Sequence, residues 1–293
     1  MDESQLRQVR RFNCAVTQRV GALEVDYLRR GRPLAEARLI FEIGADGVDL
    51  RTLRSNLKLD SGYLSRLVQS LKTQGLIAMT KGSGDGRRRH VSLTRKGSAE
   101  RAAYDRLSDN LAASMLTPLY ASERSRLLTA MAEVERLIRA ASVKVAAEAP
   151  VSPEAGRCLD AYFRELEARF EGGFDAAADD SARVEDLTPP SGLFVIARLD
   201  DDAVGCGGFK RVDKATGEIK RVWTAPSARG LGVARRVLRT LEAGARKAGL
   251  KTLRLDTNRA LTEAHALYRS EGYREIARFN DNPYAHHWFA KRL

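Results

Sequence analysis

Apolar residues recur every three or four positions from residue 3 to residue 30. Val9, Phe12, Val16, Val20, Leu23 and Tyr27 form the stripe, so the stretch is expected to be helical. Gly31 and Pro33 punctuate it. A short helix is expected over Leu34–Ile43, closed by Gly44. Two more are expected over Leu50–Leu57 and Ser61–Gln74, joined tightly through Lys58, Leu59 and Asp60 and ended by Gly75. Ile77–Thr80 and His90–Thr94 read as strands flanking a hairpin tip, Gly82-Ser83-Gly84-Asp85-Gly86. Residues 96–119 and 121–147 read as two long helices, the second striped by Leu127, Met131, Val134, Ile138 and Ala141.

Ala146–Pro153 is rich in small residues and proline and is the best boundary in the chain. Two domains are therefore expected, 1–147 and 148–293. Beyond the boundary one helix carries Leu159, Tyr162, Phe163, Leu166 and Phe170 inward. Strands are expected at Leu193–Leu199, Ala203–Val212, Glu218–Thr224, Leu250–Thr257 and His287–Leu293, with helices near Leu231–Ala248 and Leu261–Glu271. The acidic stretch 175–186 reads as a loop.

The chain has 293 residues and is 43% hydrophobic, enough for real cores. No apolar run approaches the roughly 18 residues of a membrane helix. The N-terminus lacks the apolar stretch of a signal peptide, and Cys14, Cys158 and Cys206 are odd in number and far apart. A disulfide scaffold and a cysteine-rich zinc site are excluded, and a cytoplasmic location without membrane contact is expected. The net charge is +12. Residues 1–150 hold 26 basic and 17 acidic side chains, and residues 50–96 alone hold 11 basic and 2 acidic. The first half's excess sits in that one block, which suits a polyanion or, equally, a solvated basic face.

Residues 50–77 have the physics of a helix-turn-helix. Asp60 or Ser61 can cap the second helix, and Leu64, Leu67, Val68 and Leu71 form its buried stripe. Ser61, Tyr63, Ser65, Arg66 and Gln69 are left outward, where a recognition helix presents side chains to the major groove. Arg66 alone would read as an ordinary surface arginine. The hairpin with Arg87, Arg88 and Arg89 adds a basic wing able to clamp phosphates or enter the minor groove. This half resembles the MarR family of winged-helix regulators, whose wing signature is matched by Asp85, Arg87, Leu93 and Thr94. The resemblance implies a mainly α winged helix-turn-helix domain over 1–147, a homodimer paired through its terminal helices, and a pseudo-palindromic double-stranded DNA partner. Arg87 would be the minor-groove arginine and Asp85 would orient it.

In the second half a strand ending near Thr224 is followed by Pro226, then Arg229, Gly230, Leu231, Gly232, Val233 and Ala234, then a helix with Val233, Val237, Leu238, Leu241 and Ala245 inward. Glycines before a helix let the backbone approach a ligand, and the helix's free amides favour phosphate. The same glycines also suit a plain tight turn. No third glycine with a distant acid is present, which excludes a dinucleotide fingerprint, and no Lys-Ser/Thr is present, which excludes a P-loop. Arg229-x-x-Gly232-x-Ala234 is similar to the pyrophosphate motif of the GNAT acetyltransferase superfamily. A strand ending in Asn258 and Ala264-x-x-x-Tyr268-x-x-x-Gly272-Tyr273 follow in the superfamily's order.

That resemblance implies an α/β mixed-sheet GNAT fold and an N-acetyltransferase using acetyl-CoA, with an unidentified primary amine as acceptor. It implies Tyr268 as general acid to the leaving sulfur, a role its phenol's pKa of about 10 suits. A packed aromatic is the alternative for Tyr268. It implies Glu218 as general base, against a solvated carboxylate at a strand start. Backbone groups of Val222, Trp223 and Thr224 would hold the pantetheine arm at a splay in the sheet, and Asn258 would bond the same arm. Transfer would be direct, since no cysteine is placed to carry an acyl group. The four histidines do not make a metal site; one of His286 and His287 could line the acceptor pocket with Tyr284. The acidic loop Glu171–Asp180 with Phe170 and Phe174 either draws a cationic amine or is simply solvated. The whole reads as a bifunctional regulator and acetyltransferase; a regulator that senses acyl-CoA without turnover is the alternative.

Overall fold

A computed structural model gives the fold, and the residues it describes are 2–81, 89–175 and 182–293. Met1–Leu127 form one compact unit and Leu128–Leu293 another. The first unit begins with α1 (Glu3–Arg19), capped by Asp2. It is shorter than its apolar stripe suggests. Gly21, Leu28 and Arg29 adopt left-handed backbone angles, which no helix can continue through. Val9, Phe12 and Val16, with Leu6, stay 42–56% exposed.

Next come α2 (Leu34–Ile43), β1 (Val48–Asp49), α3 (Leu50–Leu57), α4 (Ser61–Thr73), β2 (Ile77–Lys81), β3 (Arg89–Leu93) and α5 (Arg95–Leu116). The Asp60 side chain accepts from the Tyr63 amide and caps α4, and Lys58 turns left-handed to join it to α3. Leu64, Leu67, Val68 and Leu71 are buried beside Leu39, Ile40 and Leu53. Thr94, expected at the end of a strand, instead caps α5 through the Gly97 amide. β1, β3 and β2 form a three-stranded antiparallel sheet, in that order. Glu100, buried on α5, takes both Arg30 and Arg32 at 2.7 Å.

The helix α6 (Ala121–Ala141) crosses the division between the units and stops short of the expected 147. Lys144–Ala147 instead form β4, the edge of the second unit's sheet. Then follow α7 (Pro153–Arg169), β5 (Gly192–Leu199), β6 (Asp202–Arg211), β7 (Thr216–Thr224), α8 (Val233–Lys247), β8 (Thr252–Thr257), α9 (Thr262–Ser270), β9 (Arg274–Glu275) and β10 (His287–Arg292). The seven-stranded sheet runs β4-β5-β6-β7-β8-β10-β9, and only β7 and β8 are parallel. Val233, Val237, Leu238, Leu241 and Ala245 put one face of α8 onto this sheet, the stripe read from the sequence.

Leu241 is fully buried at the middle of that helix. Leu241→Ala should cost about 2–5 kcal/mol of stability. Denaturant unfolding of the full chain measures it, and a loss under 1 kcal/mol would mean α8 is not anchored through this face.

Candidate active site

The site begins where two neighbouring strands part. β7 and β8 pair only at Thr216–Thr252, Gly217–Leu253 and Glu218–Arg254, after which β8 continues beside β10 alone. Just past the last pair, the register between β6 and β7 slips, so that Arg221 and Val222 stand opposite Gly207. Arg221 takes a left-handed φ of 58° there. Such a bulge re-aims the residues that follow it. Those residues, Val222, Trp223 and Thr224, line a cleft of about 460 Å³.

The cleft's other wall is the start of α8. Gly230 and Gly232 have φ of 78° and 71°, a conformation that side chains resist, and the space a Cβ would occupy is open at both. No side chain caps α8. Its first-turn amides and positive dipole end are therefore left for an anionic ligand. Gly230, Gly232, Val233 and Ala234 line the cleft, whereas the side chain of Leu231 is buried in the core. Thr224 contributes a buried Oγ1 with no partner of its own.

Arg229 also lines the cleft. Its guanidinium lies against both carboxylate oxygens of Glu165 at 2.6 Å. Glu165 further accepts from Trp223 Nε1 at 2.9 Å and from Arg169 at 3.2 Å. Burial alone would raise the Glu165 pKa, but the bonds from Trp223, Arg229 and Arg169 outweigh it and hold the carboxyl below its usual range. Glu165 and Arg169 were not anticipated. They sit on α7, next in sequence to Leu166 and Phe170 of its apolar stripe.

Tyr268, on α9, is 7% exposed and lines this cleft. It also lines a second, smaller pocket of about 90 Å³ that adjoins the first and shares Val222 and Leu166 with it. Among the described residues no group hydrogen-bonds its hydroxyl. Burial first, and the charge of Asp256 second, push its phenol pKa well above the ordinary value. The phenol therefore keeps its proton throughout the neutral range.

Two expected site residues have other partners. Glu218 does not line either space. It is buried at the closed end of the fork, bonded to Arg254 at 2.9 Å and Lys220 at 2.9 Å, so its lone pairs serve cations and not an amine. Asn258 lines the smaller pocket and not the cofactor cleft. Its Nδ2 donates to Tyr284 O at 2.7 Å and its Oδ1 accepts from Ala260 N at 2.9 Å, which leaves it shaping a turn. Tyr284 does line the smaller pocket, but His286 and His287 do not. Cys206 is fully buried, its thiol donating to Arg221 O at 3.5 Å. Among the described residues no three His, Cys, Asp or Glu side chains form a metal-binding group.

Residues 159–273 match the model of the Acetyltransferase (GNAT) family. A protein named IAA acetyltransferase, from Azospirillum brasilense, is 31% identical over 139 residues, covering 47% of this chain and 88% of that one. The chain belongs to the GNAT acetyltransferase family. An uncharacterized N-acetyltransferase, YsnE of Bacillus subtilis, is 35% identical over 100 residues, 33% of this chain and 66% of that one. The crystal structure of an acetyltransferase from Streptococcus agalactiae is 20% identical, covers 52% of this chain and 99% of that one, and superposes with a TM-score of 0.45. The acetyltransferase uses acetyl-CoA, which supplies an acetyl group activated as a thioester. The open glycine turn, the uncapped helix and the orphaned Thr224 hydroxyl suit such a diphosphate-bearing, amide-rich molecule.

If Arg229 grips the pyrophosphate, Arg229→Ala should raise the acetyl-CoA Kd by about 10- to 100-fold, the worth of one or two charge-assisted bonds. Calorimetry reads this directly, and an unchanged Kd would place the diphosphate elsewhere.

Proposed function

We propose that the chain is a bifunctional DNA-binding regulator and N-acetyltransferase, acting on a primary amine in the cytoplasm. DNA binding and dimerisation belong to residues 1–147 and acetyl transfer to 148–293, with β4 contributed across that boundary. The observation that carries the transfer reading is Tyr268, a buried phenol placed where the cofactor cleft and the smaller pocket meet. In this reading the amides from Gly230 to Ala234 and the guanidinium of Arg229 hold the diphosphate. Backbone groups of Val222, Trp223 and Thr224 hold the arm. The amine comes from the opposite side of the fork. As the nitrogen–carbon bond forms and the carbon–sulfur bond breaks, Tyr268 Oη gives its proton to the departing sulfur, and the amine's surplus proton passes to water.

The regulator reading rests on the three-helix and hairpin arrangement of α2–α4 with β2 and β3. Ser61, Ser65, Arg66 and Gln69 are exposed on α4, and Tyr63 is half-buried under the Arg66 guanidinium. Arg89 is exposed at the start of β3. Arg87 and Arg88, the other wing residues, lie outside the described residues. The exposed apolar stripe of α1 gives a second copy something to bury, which favours a homodimer on a pseudo-palindromic duplex. Among the described residues no helix is long and apolar enough to cross a membrane.

Tyr268→Phe should lower kcat by about 100-fold or more while the acetyl-CoA Kd moves less than about twofold. Because the phenol pKa is raised, the acid form persists to higher pH. The wild-type rate should therefore show no loss from this group below about pH 10. A kcat unchanged by the substitution rejects the acid role.

On its own promoter DNA the protein should bind more weakly as salt rises, and Arg66→Ala should weaken binding by about 1–3 kcal/mol while acetyl transfer is unaffected. Fluorescence anisotropy across salt concentrations checks both. A flat salt response removes the regulator reading.

A further inference from the structure

The smaller pocket is closed on one side by three rings in mutual contact. Phe174 and Tyr284 lie 4.7 Å apart between centroids, Phe170 and Phe174 5.7 Å, and Phe170 and Tyr284 5.9 Å. The ring of Phe163 stacks behind Phe174 at 5.9 Å. A wall of rings braced against one another yields little to a bulky guest. The space it leaves is about 90 Å³. An apolar cavity of about 150 Å³ is what accommodates benzene. The space therefore favours a methylene chain end over a six-membered ring.

The polar end of the pocket is Asp256, on β8, the one acidic side chain among its lining residues. Its Oδ1 accepts from Lys220 Nζ at 2.5 Å and from Asn280 Nδ2 at 3.3 Å. Its Oδ2 accepts from Asn282 Nδ2 alone among the described residues. A carboxylate has about four acceptor positions, so Oδ2 keeps one for an entering N–H. Asp256 is also near enough to Tyr268 for its charge to act on the phenol. Lys220 and Arg221 line the same pocket.

We infer that the acceptor is an unbranched primary alkylamine, its chain end held between the aromatic wall and Tyr268 and its nitrogen bonded to Asp256 Oδ2. The inference rests on the acetyl-transfer reading and narrows it to one substrate class. A free alkylamine and the side chain of a protein lysine share this chemistry.

The full-length chain, saturated with acetyl-CoA, should acetylate hexylamine and cadaverine with kcat/KM about tenfold or more above cyclohexylamine and benzylamine. A short peptide with a single lysine tests the protein source, and acetylation of either source supports the class. Asp256→Asn should cut kcat/KM for hexylamine about tenfold or more while the acetyl-CoA Kd moves less than about twofold. Because that substitution also removes one of Lys220's two carboxylate partners, Phe174→Ala is the second variant. It opens the wall without touching the charges, and should raise cyclohexylamine turnover about fivefold relative to hexylamine. Equal use of ring and chain amines by the wild type overturns the proposal and leaves acetyl transfer standing. If no amine is acetylated, the transfer reading fails instead, and calorimetry with hexylamine on the CoA-loaded protein decides the pocket. Binding lost in Asp256→Asn keeps the subsite, and no binding by the wild type removes it.

Discussion

The acetyltransferase half depends on a fork held by buried charge. After Glu218 and Arg254 the backbones of β7 and β8 stop pairing, yet the side chains do not let go. Glu218 bonds Arg254 and Lys220, and Lys220 reaches on to Asp256 across the widening gap. Lys220, Glu218 and Asp256 are all nearly inaccessible to water. Burial works to discharge Lys220, but the carboxylates of Asp256 and Glu218 outweigh it and keep the ammonium charged. Removing one member of such a network costs about 3–5 kcal/mol, because the others remain buried and unpaired. The network replaces the missing ladder and fixes how far the strands part. The bulge at Arg221 then has room to turn Val222 and its successors toward the cleft.

The mouth of the cleft is held by a different kind of ion pair. Arg229 on Glu165 has close geometry, but its side chain is 46% exposed. An exposed pair contributes about 0–1 kcal/mol, so exchanging it for another anion costs little. Glu165 would not be stranded by that exchange, because Trp223 and Arg169 still donate to it. The two networks thus divide the labour by burial. The deep one is too costly to rearrange and sets the geometry. The shallow one is cheap to rearrange and leaves the arginine available to a diphosphate.

What the sequence could reveal followed from periodicity and from spacing along one element. The buried faces of α4 and α8 repeat every three or four residues, over about two turns in α4 and more than three in α8, and the residues expected inward are inward. The turn before α8 was legible because Gly230 and Gly232 have few other uses in that position. β1 and β9 have two residues each and β4 has four, too few for an alternation to register. Lys144–Ala147 continued a helical pattern that only pairing with β5 could overrule. Glu218 and Asn258 sat at the expected distances from the motif, but distance along the chain says nothing of partners. Arg254 and the Tyr284 carbonyl, 36 and 26 residues away, had already claimed them. Glu165 and Asp256 were missed for the mirror reason, since each matters through residues remote in sequence.

The burial of Tyr268 poses a question of matching. A phenol whose pKa lies well above its free value is a poor donor to a thiolate in water, where a thiol's pKa is about 8.5. In the proposed transfer the sulfur would leave within the cleft that Tyr268 lines, and not in bulk water. Desolvation there would disfavour a thiolate as it disfavours a phenolate. Both pKa values move in one direction, so the gap between donor and acceptor closes or holds while neither anion is solvated. The nearby Asp256 charge adds to the effect at Tyr268. In the proposed transfer, burial would keep the proton on Tyr268 until the sulfur departs, and the cost of leaving that sulfur charged would drive the proton across.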